Sequence, residues 1–237
     1  MRVFKTGLET RLYLINRKSS AIAIALAVGA AFICTFERTN AQGGLPAREA
    51  LDPSGHITYF IHDGTESAAW RKSDSQLAVW AFKAWERSAE GRLALEAAAE
   101  PAARVRVRWV PANGGQYGEM RPLLVNGQRG ATVFIRPDTE GLGEDIARAA
   151  REDPLFRETV VYLTCLHEIG HALGLSHTSD YRDIMYFFGY GGDIVGFFTR
   201  YRNQLRSRDD IARVSGLSDG DISRLKSLYT KTESDHR

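Results

Sequence analysis

Apolar and polar positions alternate in three distinct regimes along this chain of 237 residues. The first is a nearly unbroken apolar run from Ala21 to Phe36, preceded by Arg2, Lys5, Arg11, Arg17 and Lys18 and followed by Thr39-Asn40-Ala41. A basic flank, an apolar stretch and small residues form the pattern of an export signal, cut after Ala41 or retained as an anchor. The run is long for a signal and short for a spanning helix of about 20 residues, so both readings stand over residues 1–41. It has no polar face, which argues against a buried core helix. In either case the basic flank stays in the cytoplasm and the rest is exported. Residues 42–52 read as a short linker.

The second regime mixes strand and helix periods. Ile57 to Ile61 predicts a short strand, and Trp70, Leu77, Trp80, Ala81, Ala84 and Trp85 recur at helical spacing. Strict alternation in Arg104-Val105-Arg106-Val107-Arg108-Trp109 predicts a half-buried strand with its three arginines on one solvent-facing side, or facing an acidic partner or lipid surface. Residues 94–103 are alanine-rich and 111–130 turn-rich, and Ala131 to Ile135 predicts another strand. A short helix near Glu144 to Arg151 follows. The third regime is a helix apolar on most sides, with Val160, Val161, Leu163, Cys165, Leu166, Ile169, Ala172 and Leu173. Beyond it lie six aromatics interspersed with glycines (Phe187, Phe188, Tyr190, Phe197, Phe198, Tyr201), either a satellite core or the lining of a substrate pocket. A closing helix runs from Ser218 to Tyr229, with Asp219 and Asp221 in its first turn.

The apolar helix carries the chemistry, in the run His167-Glu168-Ile169-Gly170-His171-Ala172-Leu173-Gly174-Leu175-Ser176-His177. Four residues apart on a helix, His167 and His171 project from one face and can bind one metal ion. Gly174 suits the left-handed turn that ends the helix, which brings His177 back to the metal. Three neutral imidazoles leave the fourth position of a tetrahedral zinc open for water, and Glu168 lies beside them, free to take its proton. Such residues in an apolar helix are costly without a metal partner.

The extended motif, with Met185 eight residues after His177 in Asp183-Ile184-Met185-Tyr186, resembles the metzincin clan of zinc metallopeptidases and its matrixin branch. His56 to Ile61, Ala81 to Glu86 and Leu217 to Tyr229 resemble the first strand, first helix and closing helix of a matrixin catalytic domain. The resemblance implies an α+β domain over residues 53–232, with a twisted mixed sheet, an active-site helix, a Met turn and a C-terminal helix, ahead of a tail at 233–237. It implies one catalytic zinc on His167, His171 and His177, Glu168 as general base, Met185 as a packing base under the metal, and peptide-bond hydrolysis by a zinc-activated water. It further implies that Val133, Phe134 and Ile135 form the sheet edge along which an extended peptide pairs, with Tyr186 a candidate substrate contact.

The chain also departs from the family. Between His62 and His167 there is no histidine, so a structural zinc of the usual kind is not expected. The acidic stretch Asp138, Glu140, Glu144 and Asp145 either holds calcium, though without a recognisable ligand loop, or forms a solvated turn and helix start. The position after Tyr186 holds Phe187 instead of proline, and no propeptide cysteine is visible. Once Cys34 leaves with the signal, Cys165 has no partner and reads as a small buried residue.

Charge narrows the partners. Without residues 1–41, which hold six basic and two acidic residues, the remainder has a net charge of about −2, which leaves no nucleic-acid footprint. The chain reads as a secreted, periplasmic or membrane-anchored monomer acting on peptide or protein, with membrane contact only through its N-terminal segment. A zinc-binding module without catalysis and a zinc hydrolase of non-peptide amides remain alternatives.

Overall fold

The computed structural model describes residues 49–113 and 115–230. The predicted export segment (1–41), most of the predicted linker and the predicted tail lie outside the described residues. Among the described residues no helix is long and apolar enough to cross a membrane.

A five-stranded sheet carries the site. Its strands are β1 (His56–Ile61), β2 (Ala94–Ala97), β3 (Val105–Trp109), β4 (Gly118–Val125) and β5 (Gln128–Ile135), in the order β2-β1-β3-β5-β4. All neighbours are parallel except β4, which pairs antiparallel with β5. The alternation visible in the sequence sets the faces, since Ile57, Tyr59, Val105, Val107, Val133 and Ile135 are buried.

Two helices meet over this sheet, α1 (Asp74–Ser88) and α3 (Pro154–Ala172). On α1, Leu77, Ala78, Ala81, Phe82, Ala84 and Trp85 are fully buried, and the small alanines let the helices approach closely. Phe82 stacks on Tyr59 at 4.0 Å between ring centroids, and the Trp85 indole N–H donates to the Leu166 carbonyl at 2.9 Å. The start of α3 is set locally, because Pro154 suits the first helical position and the Asp153 carboxylate accepts from the Leu155 N–H at 2.9 Å.

Several expectations are corrected here. Residues 111–130, read as turns, contain β4 and the start of β5. Asn126 and Gly127, both with positive φ (52° and 77°), form the tight hairpin turn between them. Pro122 and the lack of alternation hide β4 from pattern reading, yet an edge strand tolerates proline. Part of the alanine-rich stretch is β2. The region read as an aromatic loop contains α4 (Ile194–Arg202), started by Asp193, whose carboxylate accepts from the Gly196 N–H at 2.8 Å. The remaining helices are α2 (Glu144–Glu152) and α5 (Asp219–Leu228).

Arg104 does not share a solvent face with Arg106 and Arg108. It precedes β3, is buried, and donates to Asp52 (3.1 Å), Gln128 (2.9 Å) and the Leu51 carbonyl (3.1 Å). Leu51 is itself buried and its N–H donates to the Tyr229 hydroxyl, so the packed body begins before residue 53.

The edge of the sheet is β4, not β5. Val133, Phe134 and Ile135 sit between β3 and β4, so their backbone groups are already paired on both sides. Ala131 donates to the Arg104 carbonyl and Ile135 accepts from Val110, which turns both toward β3. Their partners across the hairpin, Gly118 and Pro122, therefore turn their backbone groups outward, as do Met120 and Leu124 by alternation.

Behind the site, Arg157 is buried against fully buried Asp74, with Nη2 to Oδ2 at 2.8 Å, and so ties α3 to the start of α1. Arg157→Met leaves Asp74 unpaired and is expected to cost about 3–5 kcal/mol in urea unfolding. Arg148→Met, at an exposed pair with Asp145, is expected to cost under about 1 kcal/mol. Equal losses would show that the buried pair contributes no more than a surface one.

Candidate metal centre

The last turns of α3 present His167 and His171 on one face, half-buried. After Ala172 the chain turns at Gly174, whose φ of 105° suits glycine, and the Leu175 N–H donates to the Gly170 carbonyl at 2.9 Å. A Cβ on Gly174 would also run into the Glu49 carbonyl. This reversal returns exposed His177 to the other two.

Backbone carbonyls orient two of the rings. His167 Nδ1 lies 2.7 Å from the Ile184 carbonyl and His171 Nδ1 lies 2.8 Å from the Leu175 carbonyl. A carbonyl only accepts, so each Nδ1 carries the proton and each Nε2 is free to ligate. His171 Nε2 and His177 Nε2 are 3.1 Å apart, and one nitrogen from each of the three rings lies within 4.8 Å of the others. The donor set fits zinc, since three converging imidazole nitrogens are one ligand short of its usual four.

Desolvation and the neighbouring imidazoles hold the metal-free rings neutral. The His167 pKa is well below its ordinary value, that of His171 is pushed down to about 4, and that of His177 is lowered by desolvation. Glu168 is moved the opposite way, to about 8, chiefly by burial, against the attraction of Arg136.

Met185 is fully buried beneath α3. A Cβ on Gly170 would lie 2.5 Å from the Met185 sulfur and 3.0 Å from Trp85 Cζ2, so only glycine admits the methionine this close. Sequence reading passed over Gly170, although a glycine inside a helix needs a reason of this kind. Gly118, at the start of β4, plays the matching part on the other side, since a Cβ there would meet Glu168 Cγ at 2.5 Å.

The methionine turn is pinned from α5. Fully buried Asp221 accepts from the N–H groups of Ile184 (2.8 Å), Met185 (3.4 Å) and Ser218 (3.0 Å). Asp183 beside it accepts from the Thr178 hydroxyl (2.8 Å) and from Arg224 (2.7 Å). Asp221 lies in the first turn of α5, as the sequence reading expects of a dipole-matching acid, and it also holds the strand of chain whose Ile184 carbonyl orients His167.

The aromatic segment divides between the two uses expected of it. Phe197, Phe198 and Tyr201 are core, packed on α3, with Phe198 6.2 Å from Phe156 and Tyr201 5.4 Å from Tyr162. Phe187 faces His177 at 4.8 Å and touches Tyr190, which is 67% exposed. Tyr186 is buried among Tyr181 and Phe188, and its hydroxyl donates to the Gly191 carbonyl, so its side chain serves the loop's own packing.

The acids considered for calcium have other partners. Asp138 accepts from the Glu140 N–H, Glu140 and Glu144 pair with Arg151, and Asp145 pairs with Arg148. Among the described residues the three histidines form the group of potential metal ligands that converges on one point.

A mixed sheet whose antiparallel edge lies against a histidine-bearing helix, with a buried methionine turn beneath, is the architecture of a metzincin-type metallopeptidase domain. The chain belongs to the matrixin family, whose model matches residues 51–229. It is similar to matrix metalloproteinase-15 of Homo sapiens, at 29% identity over 154 residues that cover 60% of this chain. It spans 22% of the length of that relative.

Two measurements test the site. Asp221→Ala releases the turn that orients His167 and is expected to weaken zinc binding roughly tenfold or more in a chelator competition; unchanged affinity would mean that other contacts hold the turn. The second concerns the metal-free protein. Between about pH 4.5 and 8 folded Glu168 keeps a proton that the unfolded chain has released, so its burial costs stability increasingly as pH rises. Urea unfolding of Glu168→Gln should therefore show a gain over the parent that grows across this window to a few kcal/mol, on the order expected for a fully buried carboxylate. A difference independent of pH would contradict it.

Proposed function

We propose that this chain is an exported zinc-dependent endopeptidase. His167, His171 and His177 would hold the ion, with Met185 packed beneath them. When bound, zinc supplies Lewis acidity at the scissile carbonyl and lowers the pKa of water. Glu168 accepts a proton from the attacking water and later delivers it to the leaving amine. Glu168 is buried next to the two histidines of its helix, and burial strengthens the hold of a carboxylate on a proton, as a general base requires.

The observation that carries this reading is the convergence of three imidazole nitrogens beside a buried carboxylate, along a sheet edge with unpaired backbone groups. That edge would take an extended peptide as an additional strand. Gly118, Met120 and Leu124 offer both backbone groups, whereas Pro122 offers only its carbonyl. Main-chain pairing of this kind is tolerant of sequence, and half-buried Phe187 with exposed Tyr190 adds an apolar ledge next to His177.

Cleavage of a peptide library by the purified protein, with bound zinc quantified, tests the reading. The parent is expected to cleave internal bonds. Glu168→Ala is expected to keep its zinc while losing cleavage by about 100-fold or more, within the range for removal of a general base. Zinc in both proteins with cleavage by neither would point to a binding module or to a hydrolase of other amides, and loss of zinc in the variant would overturn the role given to Glu168.

A further inference from the structure

Arg136 is a buried cation that the matrixin motif does not include. It directly follows β5, and its backbone N–H donates to the Tyr117 carbonyl at 3.0 Å, which fixes it beside Gly118 at the start of β4. The side chain is 6% exposed. Its Nε and Nη1 have no hydrogen-bond partner among the described residues, and its Nη2 lies 3.7 Å from Glu119 Oε2. That carboxylate is already engaged by Arg121 at 2.7 and 2.9 Å. A buried guanidinium so weakly matched is costly unless a second anion shares the site.

The other carboxylate whose field Arg136 feels is that of Glu168, which forms no direct ion pair with it. Gly118 lies against Glu168, and its lack of a side chain lets the strand lie so close that a Cβ would be 2.8 Å from Glu168 Oε1. The charges acting on the Glu168 carboxylate are those of Arg136, attractive, and Glu119, repulsive. Arg136 in turn feels both carboxylates.

We propose that Arg136 is a positioning residue for Glu168, its buried charge holding the carboxylate against the edge strand and toward the imidazoles. Glu119 anchors the guanidinium from the other side. The inference rests on the proposed peptidase reading for its consequence in catalysis, but the electrostatic coupling of the two charges does not.

A double-mutant cycle separates the two. Metal-free parent, Arg136→Met, Glu168→Gln and the double variant of the full chain are unfolded in urea in mildly alkaline buffer. Arg136→Met is expected to lower the midpoint in the parent and to lower it by less than half as much in the Glu168→Gln background. Equal shifts in both backgrounds would overturn the proposal, because Arg136 would then serve only Glu119 and the fold. This readout stands even if no peptide is cleaved, in which case the peptidase reading fails and the coupling of the two charges is still decided. For the zinc-loaded protein on a peptide it cleaves, Arg136→Met should lower kcat roughly ten- to hundredfold with KM and zinc content unchanged, as for a misplaced catalytic group. Arg136→Lys should recover part of that loss. A rise in KM at unchanged kcat would overturn the assignment.

Discussion

Two imidazole N–H groups in a mostly buried helix set the conditions that the rest of the site has to meet. Each needs an acceptor on its Nδ1 side if its Nε2 is to face a metal, and each finds a backbone carbonyl: Ile184 for His167 and Leu175 for His171. Neither carbonyl belongs to a regular element, so both must be held by something else. Leu175 is held by the turn at Gly174. Ile184 is held through its own N–H by Asp221, a residue 37 positions further along the chain. The end of the domain thereby becomes part of its metal centre.

Close approach is the second constraint. The site needs α3 to touch a strand on one side and a methionine turn on the other, and at both contacts the side chain has been removed. Gly118 lets β4 rest on Glu168, and Gly170 lets Met185 lie under the helix. An alanine at position 170 would be a better helix former by about 1 kcal/mol, yet it would meet the Met185 sulfur. Local helix stability is given up here for packing between elements. The bulk of the cohesion comes from elsewhere, from Trp85, Phe82, Leu166, Ile169 and their neighbours, all fully buried between α1, α3 and the sheet.

The free edge beside the histidines is shaped by topology more than by any one residue type. Because β4 folds back outside β5, the unpaired edge consists of Gly118 to Val125, a stretch with no clear strand pattern. The outward-turned proline in that edge limits both unwanted strand pairing and the donors available to a peptide. Of the aromatic segment after the methionine turn, only the first part lies beside His177, and α4 uses the rest to cover α3.

Read by itself, the sequence determined the elements whose pattern is local. The ligand helix, its glycine stop, the β1 and β3 alternation and the closing helix each declare themselves within a few residues, because period, capping and ligand spacing are short-range properties. The family resemblance follows from the same short motifs. Tertiary structure decided what depends on distant partners. Whether Arg104 faces solvent or is buried against Leu51 and Asp52 depends on where the N-terminal segment runs. Which strand is the edge depends on which way the hairpin folds, and this moved the pairing edge from Val133–Ile135 to β4. The buried roles of Asp221 and Gly118 depend on groups up to 50 residues away that come into contact only after folding. Spacing along a helix is written in the chain, whereas the contacts that hold a loop carbonyl or a buried charge exist only once separate elements pack together.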